Sequence, residues 1–172
     1  QECSRLLQTA YDYPGPALVR YPRGSGPGVD TSLPIRLPIG EGEIRRNGSH
    51  VAILAFGSLL STAQQVAERI DATLANMRFI KPLDEKLIDR LASAHQILVT
   101  LEENVVMGGA GSAVNEYLAS CGSQVRVLNL GLPDHYLDHA SHQEQLIEAG
   151  LDFEAILSAI ERVNRETKLK VV

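Results

Sequence analysis

The chain has few cysteines and lacks any long apolar run. Its 172 residues include two cysteines, Cys3 and Cys121, which belong to no Cys-x-x-Cys or Cys/His ligand spacing. The sequence therefore does not support a disulfide framework or a structural zinc site, and we expect two reduced, partly buried thiols. No apolar run approaches the roughly 20 residues that span a bilayer, and the N-terminus lacks the order of a signal peptide. These absences predict a cytoplasmic protein without a membrane partner.

The sequence also lacks a cluster of basic residues. Its formal net charge of -5 is spread along the chain, whereas proteins that bind nucleic acid gather Lys and Arg to neutralise phosphates. Nucleic acid is therefore not expected as a partner. With 44% apolar and 22% charged residues, the chain has the composition of a globular domain that buries a sizeable core.

Short apolar strands alternate with amphipathic helices over most of the chain. The strands are predicted at 51–56, 72–77, 96–101 and 124–130. The helices are predicted at 60–70, 85–94, 143–149 and 152–163, and a further helix opens at the glycines of 108–112 and reaches about residue 120. This alternation predicts an α/β fold, a mostly parallel sheet with helices on both faces. Ligands of such sheets bind beyond the carboxyl ends of the strands, which directs attention to Ser58, Arg78 and the segments 102–112 and 133–138.

The first 40 residues follow a different pattern. We predict a helix at 2–10 and a strand at 17–21, and then an irregular connector rich in Gly and Pro. One helix and one strand cannot form a core by themselves. We therefore assign residues 1–25 to the end of a preceding domain, 26–39 to a linker and 40–172 to the main domain. The start at Gln1, directly before a helix, suggests a piece of something longer.

A glycine-rich segment is the first candidate site. Residues 102–104, Glu-Glu-Asn, precede Gly-Gly-Ala-Gly-Ser at 108–112, where a helix is expected to begin. Free backbone N–H groups at a helix N-terminus can hold a phosphate. The spacing, however, matches neither G-x-G-x-x-G nor a loop ending in Gly-Lys-Ser/Thr, and two carboxylates would repel an anion. We favour close packing of the helix, or a subunit interface, over a phosphate site.

Two arginines, Arg20 and Arg23, form the second candidate. Alternation along an extended segment places their side chains on opposite faces. An arginine at a strand end beside a glycine is well placed to bind a phosphate or carboxylate with two hydrogen bonds. Residue type alone favours the alternative, a surface or interface salt bridge.

Histidines form the third candidate, at positions 50, 95, 135, 139 and 142. The last three have a spacing that would line one face of a helix and hold a metal. A Pro-Asp pair precedes them, so a loop with solvated or interfacial histidines is favoured. No G-x-S-x-G nucleophile elbow is present, which argues against a serine hydrolase.

An ordered series of segments carries a family resemblance. It includes Arg-Tyr-Pro-Arg-Gly at 20–24, Met-Arg-Phe-Ile-Lys-Pro-Leu-Asp at 77–84, and further segments at 37–42, 102–112 and 129–134. This succession, collinear over nearly the whole chain, resembles the C-terminal portion of the 1-deoxy-D-xylulose-5-phosphate synthases, which are transketolase-like thiamine-diphosphate enzymes. The resemblance implies the tail of a pyrimidine-binding domain, followed by a transketolase-type C-terminal domain that mainly supports a homodimer.

The resemblance also implies a reaction. Enzymes of this family condense pyruvate with D-glyceraldehyde 3-phosphate, with loss of carbon dioxide, to make a precursor of isoprenoids, thiamine and pyridoxal. Thiamine diphosphate supplies the carbanion chemistry, and Mg²⁺ holds its diphosphate. Arg23 matches the second arginine of the family's Arg-Tyr-Pro-Arg-Gly, which contacts the acceptor phosphate. Arg20 is expected to be structural, and Asn76 stands where the family is expected to carry aspartate.

Catalytic, cofactor-binding and metal-binding residues are expected to lie outside this chain. It has no Gly-Asp-Gly segment for Mg²⁺ and diphosphate, and the glutamate that activates the cofactor would precede Gln1. We therefore expect the chain alone to be inactive, to bind no cofactor, and to need the N-terminal remainder of the enzyme as its partner. The alternatives are the same domain of a 2-oxo acid dehydrogenase β subunit or a transketolase, or a non-catalytic dimerisation or regulatory module.

Overall fold

A five-stranded sheet with helices on both faces forms the main part of the structure. The computed structural model describes residues 2–22 and 36–169. Its strands are β1 Glu43–Arg46, β2 Val51–Phe56, β3 Thr73–Asn76, β4 Ile97–Val105 and β5 Arg126–Leu132. Its helices are α1 Glu2–Tyr11, α2 Leu60–Ile70, α3 Glu85–Ala94, α4 Ala110–Ser120, α5 His142–Glu148 and α6 Phe153–Leu169, and a short 3₁₀ turn, Gly57–Leu59, joins β2 to α2.

The strands follow the order β1-β3-β2-β4-β5 across the sheet. Strand β2 pairs in parallel with β3 and β4, and β4 pairs in parallel with β5. Strand β1 is antiparallel to β3 at one edge. The predicted α/β fold with a mostly parallel sheet is therefore confirmed, and the carboxyl ends of β2 to β5 meet at the same edge.

Each face of the sheet has its own apolar core. One core lies under α2 and α6 and contains Ile53 and Ile160, while the other lies under α3 and α4 and contains Leu54 and Ile88. All six residues of β2 are buried. Because successive side chains of a strand point to opposite faces, the unbroken apolar run of β2 contributes to both cores.

Helix α3 begins at the residue that the sequence indicates. Asp84 Oδ1 accepts a hydrogen bond from the backbone N–H of Leu87 at 2.9 Å, and its Oδ2 accepts one from Gly42 at 2.8 Å. The predicted N-cap is thus confirmed. The same carboxylate also joins the helix to the segment that precedes β1.

Two predictions are wrong, and one strand was missed. Residues 17–21 form no strand in the described structure; prolines at 16 and 22 lack the N–H that a ladder needs, and no described strand pairs with the segment. Cys3 and Cys121 are exposed, not partly buried, because Cys3 lies on the exposed side of α1 and Cys121 follows the end of α4. Strand β1 was missed because three of its four residues are charged.

The proposed linker lies mostly outside the described residues, so the domain boundaries stay a prediction. Where the description resumes, the N–H of Leu37 donates to Oγ1 of the buried Thr9 at 2.9 Å. This bond connects α1 with the segment that leads into the sheet. In the described ranges, no helix combines the length and apolarity needed to cross a membrane.

Candidate functional site

A buried glutamate occupies the N-terminus of helix α4. Glu102, near the end of β4, is 3% exposed, and its two carboxylate oxygens accept hydrogen bonds from the backbone N–H groups of Ala110 and Gly111, each at 2.8 Å. Such N–H groups have no partner within the helix, and the helix dipole favours a negative charge beside them. The carboxylate of Glu102 therefore takes the place that an anion takes in a glycine-rich phosphate loop.

Two glycines make this contact possible. A Cβ atom on Gly109 would lie 2.5 and 2.7 Å from the carboxylate oxygens of Glu102. A Cβ atom on Gly111 would lie 2.5 Å from Thr100 Oγ1 and 2.6 Å from Asn129 Nδ2. Close packing of the helix start on the sheet, the favoured interpretation of the glycine-rich segment, is confirmed, whereas a subunit interface at this segment stays a prediction.

The side chain of Glu103 joins other segments at the carboxyl edge of the sheet. Its Oε2 accepts a hydrogen bond from the hydroxyl of Ser58, and its Oε1 lies 2.7 Å from Nε2 of His142. Ser58 belongs to the 3₁₀ turn after β2, and His142 is the first residue of α5. This arrangement is not a nucleophile system, because the carboxylate, and not the imidazole, contacts the serine hydroxyl.

The backbone of Glu103 holds the N-terminal part of the chain. Its carbonyl oxygen accepts a hydrogen bond from Nη2 of Arg20 at 2.6 Å. Residues 16–22, which we name the strap, have no regular secondary structure. Arg20 thus ties the strap to the carboxyl end of β4. In the described residues Arg20 forms no salt bridge, and the surface or interface salt bridge favoured from its residue type stays a prediction.

A cavity of about 260 Å³ lies beside Glu103 and His142. The end of β5, the segment 133–141 and α5 line it, and His135 is one of its lining residues. Residues 133–141 form no helix, so the three histidines at 135, 139 and 142 do not line one helical face. All three are exposed, as favoured from the sequence. No group of three or more His, Cys, Asp or Glu side chains in the described residues is arranged to hold a metal.

A capping box sets the position of His142. The N–H of Glu144 donates to Ser141 Oγ at 3.3 Å, and the N–H of Ser141 donates to Glu144 Oε2 at 2.9 Å. The hydroxyl of Ser141 also donates to this carboxylate, and these bonds lower the pKa of Glu144, the hydroxyl having the larger effect. Helix α5 therefore begins at His142, next to the carboxylate of Glu103.

A second polar cluster lies beyond the carboxyl end of β3. Arg78 has a positive φ of 54°, and its side chain is 13% exposed. Its Nε donates to Glu2 Oε1 at 2.8 Å, and its Nη2 donates to Glu43 Oε2 at 2.5 Å. Asn76 Nδ2 donates to both carboxylate oxygens of Glu2, at 2.8 and 3.1 Å. The cluster docks helix α1 against β1 and β3.

The structure brings together some of the predicted site residues and leaves one out. Arg20, Ser58 and Glu103 meet at the carboxyl edge of the sheet, and Arg78 lies in the separate cluster around Glu2. Arg23, the predicted phosphate-binding residue, lies outside the described residues, so its role stays a prediction. The sequence predicted that a site would lie at the carboxyl edge of the sheet, but it did not predict the two polar clusters. The residues that contact each other in these clusters are 35 to 83 positions apart in the chain.

Comparison with known proteins identifies relatives of this chain. The family model described as transketolase, C-terminal domain, matches residues 40–156. The 1-deoxy-D-xylulose-5-phosphate synthase of Cellvibrio japonicus is 56% identical over 160 residues, which cover 92% of this chain and 25% of that protein. The synthase of Pseudomonas aeruginosa is 54% identical over 169 residues, which cover 96% of this chain and 27% of that protein.

A solved structure has a similar fold. It is described as a split-gene transketolase in the form of an inactive β4 tetramer, with a TM-score of 0.70 and 31% sequence identity, over 80% of this chain and 46% of that one. The predicted transketolase-type fold is therefore confirmed. The chain spans about a quarter of the length of the curated relatives that it matches.

Proposed function

We propose, from the premise that this chain belongs to the transketolase C-terminal domain family, that it is the C-terminal part of a 1-deoxy-D-xylulose-5-phosphate synthase. The observation that supports this most strongly is 56% identity to such a synthase over 92% of the chain. A transketolase or a 2-oxo acid dehydrogenase β subunit shares the domain type. The identity to the transketolase of known structure is 31%, which favours the synthase.

The whole enzyme is proposed to condense pyruvate with D-glyceraldehyde 3-phosphate in the cytoplasm, with release of carbon dioxide. Thiamine diphosphate, when bound, supplies the carbanion chemistry. The described residues gather no carboxylate cluster suited to Mg²⁺, and the one helix N-terminus rich in glycine is occupied by Glu102. We therefore assign the cofactor and its Mg²⁺ to the N-terminal remainder of the enzyme, and we expect the chain alone to be inactive.

The proposed contribution of this chain to the assembly is a rigid domain that supports a homodimer. Large apolar side chains stand exposed on α1 and the strap, among them Tyr11, Leu18 and Tyr21. Exposed apolar patches of this kind mark surfaces that another part of a protein covers. We propose that the N-terminal remainder of the enzyme covers this surface. Self-association is supported by a different observation, the description of the transketolase neighbour as a β4 tetramer.

Arg23 is proposed to bind the phosphate of D-glyceraldehyde 3-phosphate. A guanidinium group matches a phosphate dianion in charge and shape and binds it with two hydrogen bonds. Holding this remote group orients the aldehyde carbon for attack. The support comes from the motif Arg-Tyr-Pro-Arg-Gly and from the anchoring of its first arginine, Arg20, at the carboxyl edge of the sheet.

The test is steady-state kinetics on the full-length protein that contains this chain. The unsubstituted protein is expected to make 1-deoxy-D-xylulose 5-phosphate when thiamine diphosphate and Mg²⁺ are supplied. Replacement Arg23→Ala is expected to raise the KM for D-glyceraldehyde 3-phosphate about tenfold or more, with the KM for pyruvate changed less than about twofold. Arg165→Ala, at an exposed arginine of α6, is the matched control and is expected to change neither constant.

Two outcomes would contradict the proposal at different levels. No product from the full-length protein would remove the synthase assignment and favour the alternative of a dimerisation or regulatory module. An active enzyme in which Arg23→Ala raises both KM values equally would leave the synthase assignment in place and remove the phosphate role.

A further inference from the structure

We propose that residues 133–148 form a flap that opens and closes over the cavity at the carboxyl edge of the sheet, and that the contact between His142 and Glu103 holds the flap closed. The flap consists of the irregular segment that follows β5 and of helix α5. This inference concerns a movement within the chain, and it does not depend on the reaction that the whole enzyme catalyses.

The cavity lies between the flap and the sheet. Val105 of β4 and Leu132 of β5 line it from the side of the sheet, and Leu137 and Leu146 line it from the side of the flap. Its volume is about 260 Å³. Atoms that border a void lose the dispersion contacts that close packing provides. The flap is therefore held less firmly where it crosses the cavity than a helix packed directly on the sheet.

The flap has few of the buried contacts that hold the rest of the domain. Among the described residues, none from 133 to 148 is buried, whereas all six residues of β2 are. Two large apolar side chains of the flap, Tyr136 and Ile147, are exposed, and Leu146 packs against an apolar core while still partly exposed. Segments with few buried apolar contacts open at a lower cost in free energy than the core does.

A hydrogen bond between two side chains joins the flap to the sheet. Nε2 of His142 lies 2.7 Å from Oε1 of Glu103. A carboxylate can only accept a hydrogen bond, so Nε2 is the donor, whether the imidazole is neutral or charged. In the part of the chain that the structure describes, the other side-chain hydrogen bonds of the flap, at Ser141 and Gln145, stay within it.

The carboxylate of Glu103 is the fixed side of this contact. Its Oε2 accepts a hydrogen bond from the hydroxyl of Ser58, in the turn that follows β2. The preceding residue, Glu102, is buried and accepts hydrogen bonds from the start of α4. The side chain of Glu103 is 22% exposed and that of His142 is 60% exposed. When the flap opens, the imidazole is thus the group that leaves, and the carboxylate stays with the sheet.

The flap is joined to fixed elements at both ends. Before it, the carbonyl of Leu132 accepts a hydrogen bond from the N–H of Val106 at 3.2 Å. After it, Gly150 has a φ of 69° and precedes the buried Leu151. Glycine changes φ at little cost, and hinge movements use a few residues of this kind at the ends of elements. We therefore expect α5 to turn about Gly150 while residues 133–141 change conformation.

Hydrogen exchange of the full-length protein tests whether the contact holds the flap closed. His142→Ala removes the donor and is expected to accelerate exchange of the α5 amides about three- to tenfold, the range expected when one hydrogen bond is lost. Exchange of the β2 amides is expected to stay unchanged, because the core is not affected. His139→Ala, at an exposed histidine of the same flap, is the matched control and should change neither rate.

Cysteine labelling of the full-length protein measures access to the cavity directly. Val105→Cys places a thiol in the wall of the cavity, and its reaction with iodoacetamide is followed by mass spectrometry of the peptide that contains residue 105. Addition of His142→Ala is expected to raise the rate of labelling about three- to tenfold, in step with the exchange of α5. Addition of His139→Ala is expected to leave the rate of labelling unchanged.

Two further variants test the partners of the contact. Glu103→Ala is expected to accelerate exchange of α5 as His142→Ala does, and the double variant should exchange no faster, because both substitutions remove the same hydrogen bond. His142→Gln keeps an N–H donor and is expected to restore part of the protection. If Glu103→Ala does not fold, the two variants of His142 decide the question.

Three results would overturn the proposal. The first is a His142→Ala protein in which neither the exchange of α5 nor the labelling of Val105→Cys changes. The second is an additive effect of the substitutions at residues 103 and 142 on the exchange of α5. The third is an equal acceleration of exchange in β2, which would show a general loss of stability and not the opening of a flap.

Discussion

The side-chain amide of Asn76 connects helix α1 to the end of strand β3. It is 2% exposed, and its Nδ2 donates to both carboxylate oxygens of Glu2. Its Oδ1 accepts a hydrogen bond from the N–H of Arg78 at 3.3 Å. An amide satisfies both partners because it has a donor and an acceptor, whereas an ionised carboxylate has acceptors alone. The asparagine at this position is therefore matched to the glutamate of α1.

Asn76→Asp is expected to release helix α1 from the sheet. The substitution places two carboxylates about 3 Å apart, and like charges at that distance repel. Hydrogen exchange of the amides of α1 is expected to accelerate about tenfold while β2 and β4 stay protected. Asn47→Asp, at an exposed residue between β1 and β2, is the matched control and should leave exchange unchanged.

The second substitution Glu2→Gln provides the check on this prediction. In the Asn76→Asp protein it restores a donor opposite the new carboxylate, so protection of α1 is expected to return. Unchanged exchange in the single variant, or no recovery in the double variant, would show that the pair does not dock the helix.

The position of helix α4 depends on two glycines at its start, Gly109 and Gly111. Its start lies against Thr100, Glu102 and Asn129, and Gly109 and Gly111 leave the space that these groups fill. The hydrogen bond from Asn129 Nδ2 to Thr100 Oγ1, 2.6 Å long, crosses from β5 to β4 directly beneath the helix. Helix and sheet thus approach more closely than residues with a Cβ atom would allow.

Gly111→Ala tests which of two opposing effects dominates. Alanine raises helix propensity by about 1 kcal/mol over glycine. The added methyl group, however, must displace the hydrogen-bonded Thr100–Asn129 pair, which costs about 1–3 kcal/mol or more. We expect a net decrease of about 1–2 kcal/mol in the free energy of unfolding in urea. Glu116→Ala, on the exposed side of the same helix, should change it by less than about 0.5 kcal/mol. A stabilised Gly111→Ala protein would mean that the helix start can move away from the sheet.

The molecule as a whole combines a well-packed sheet with an exposed N-terminal segment. The buried residues of both apolar cores lie after position 50, so the sheet and its helices have a core that can support folding. The strap and α1 instead are attached mainly by polar contacts, through Arg20, Glu2 and Thr9. Domain and N-terminal segment are therefore expected to differ in stability.

The isolated 172-residue chain is expected to unfold cooperatively and to lack synthase activity. The cores support folding, while the proposed cofactor-binding residues lie elsewhere in the enzyme. Circular dichroism in urea measures the first property, and an assay of pyruvate and D-glyceraldehyde 3-phosphate consumption measures the second. Titration with thiamine diphosphate in a calorimeter should release no heat of binding. Turnover by this chain alone would place catalytic residues within it and refute the assignment to the remainder.

The residue sequence alone determined most of the secondary structure and the fold class. The helix α2 and the strand β2 begin and end where their apolar patterns do, and Asp84 caps α3 as expected. These features depend on neighbours a few positions apart, which a sequence displays directly. The ordered motifs likewise indicated the family, because motif order is a property of the chain and needs no coordinates.

Only the tertiary structure decided how the polar side chains are used. In the folded chain, Glu102 accepts hydrogen bonds from the N-terminus of α4, and Glu103 accepts hydrogen bonds from Arg20 and Ser58. Arg78 contacts two carboxylates, those of Glu2 and Glu43. Among the described residues, the tertiary structure also left 17–21 without a partner strand, although their composition favours one. The physical reason is the same in each case. Whether a charged or strand-forming residue finds a partner depends on groups that are distant in sequence and meet only once the sheet has formed.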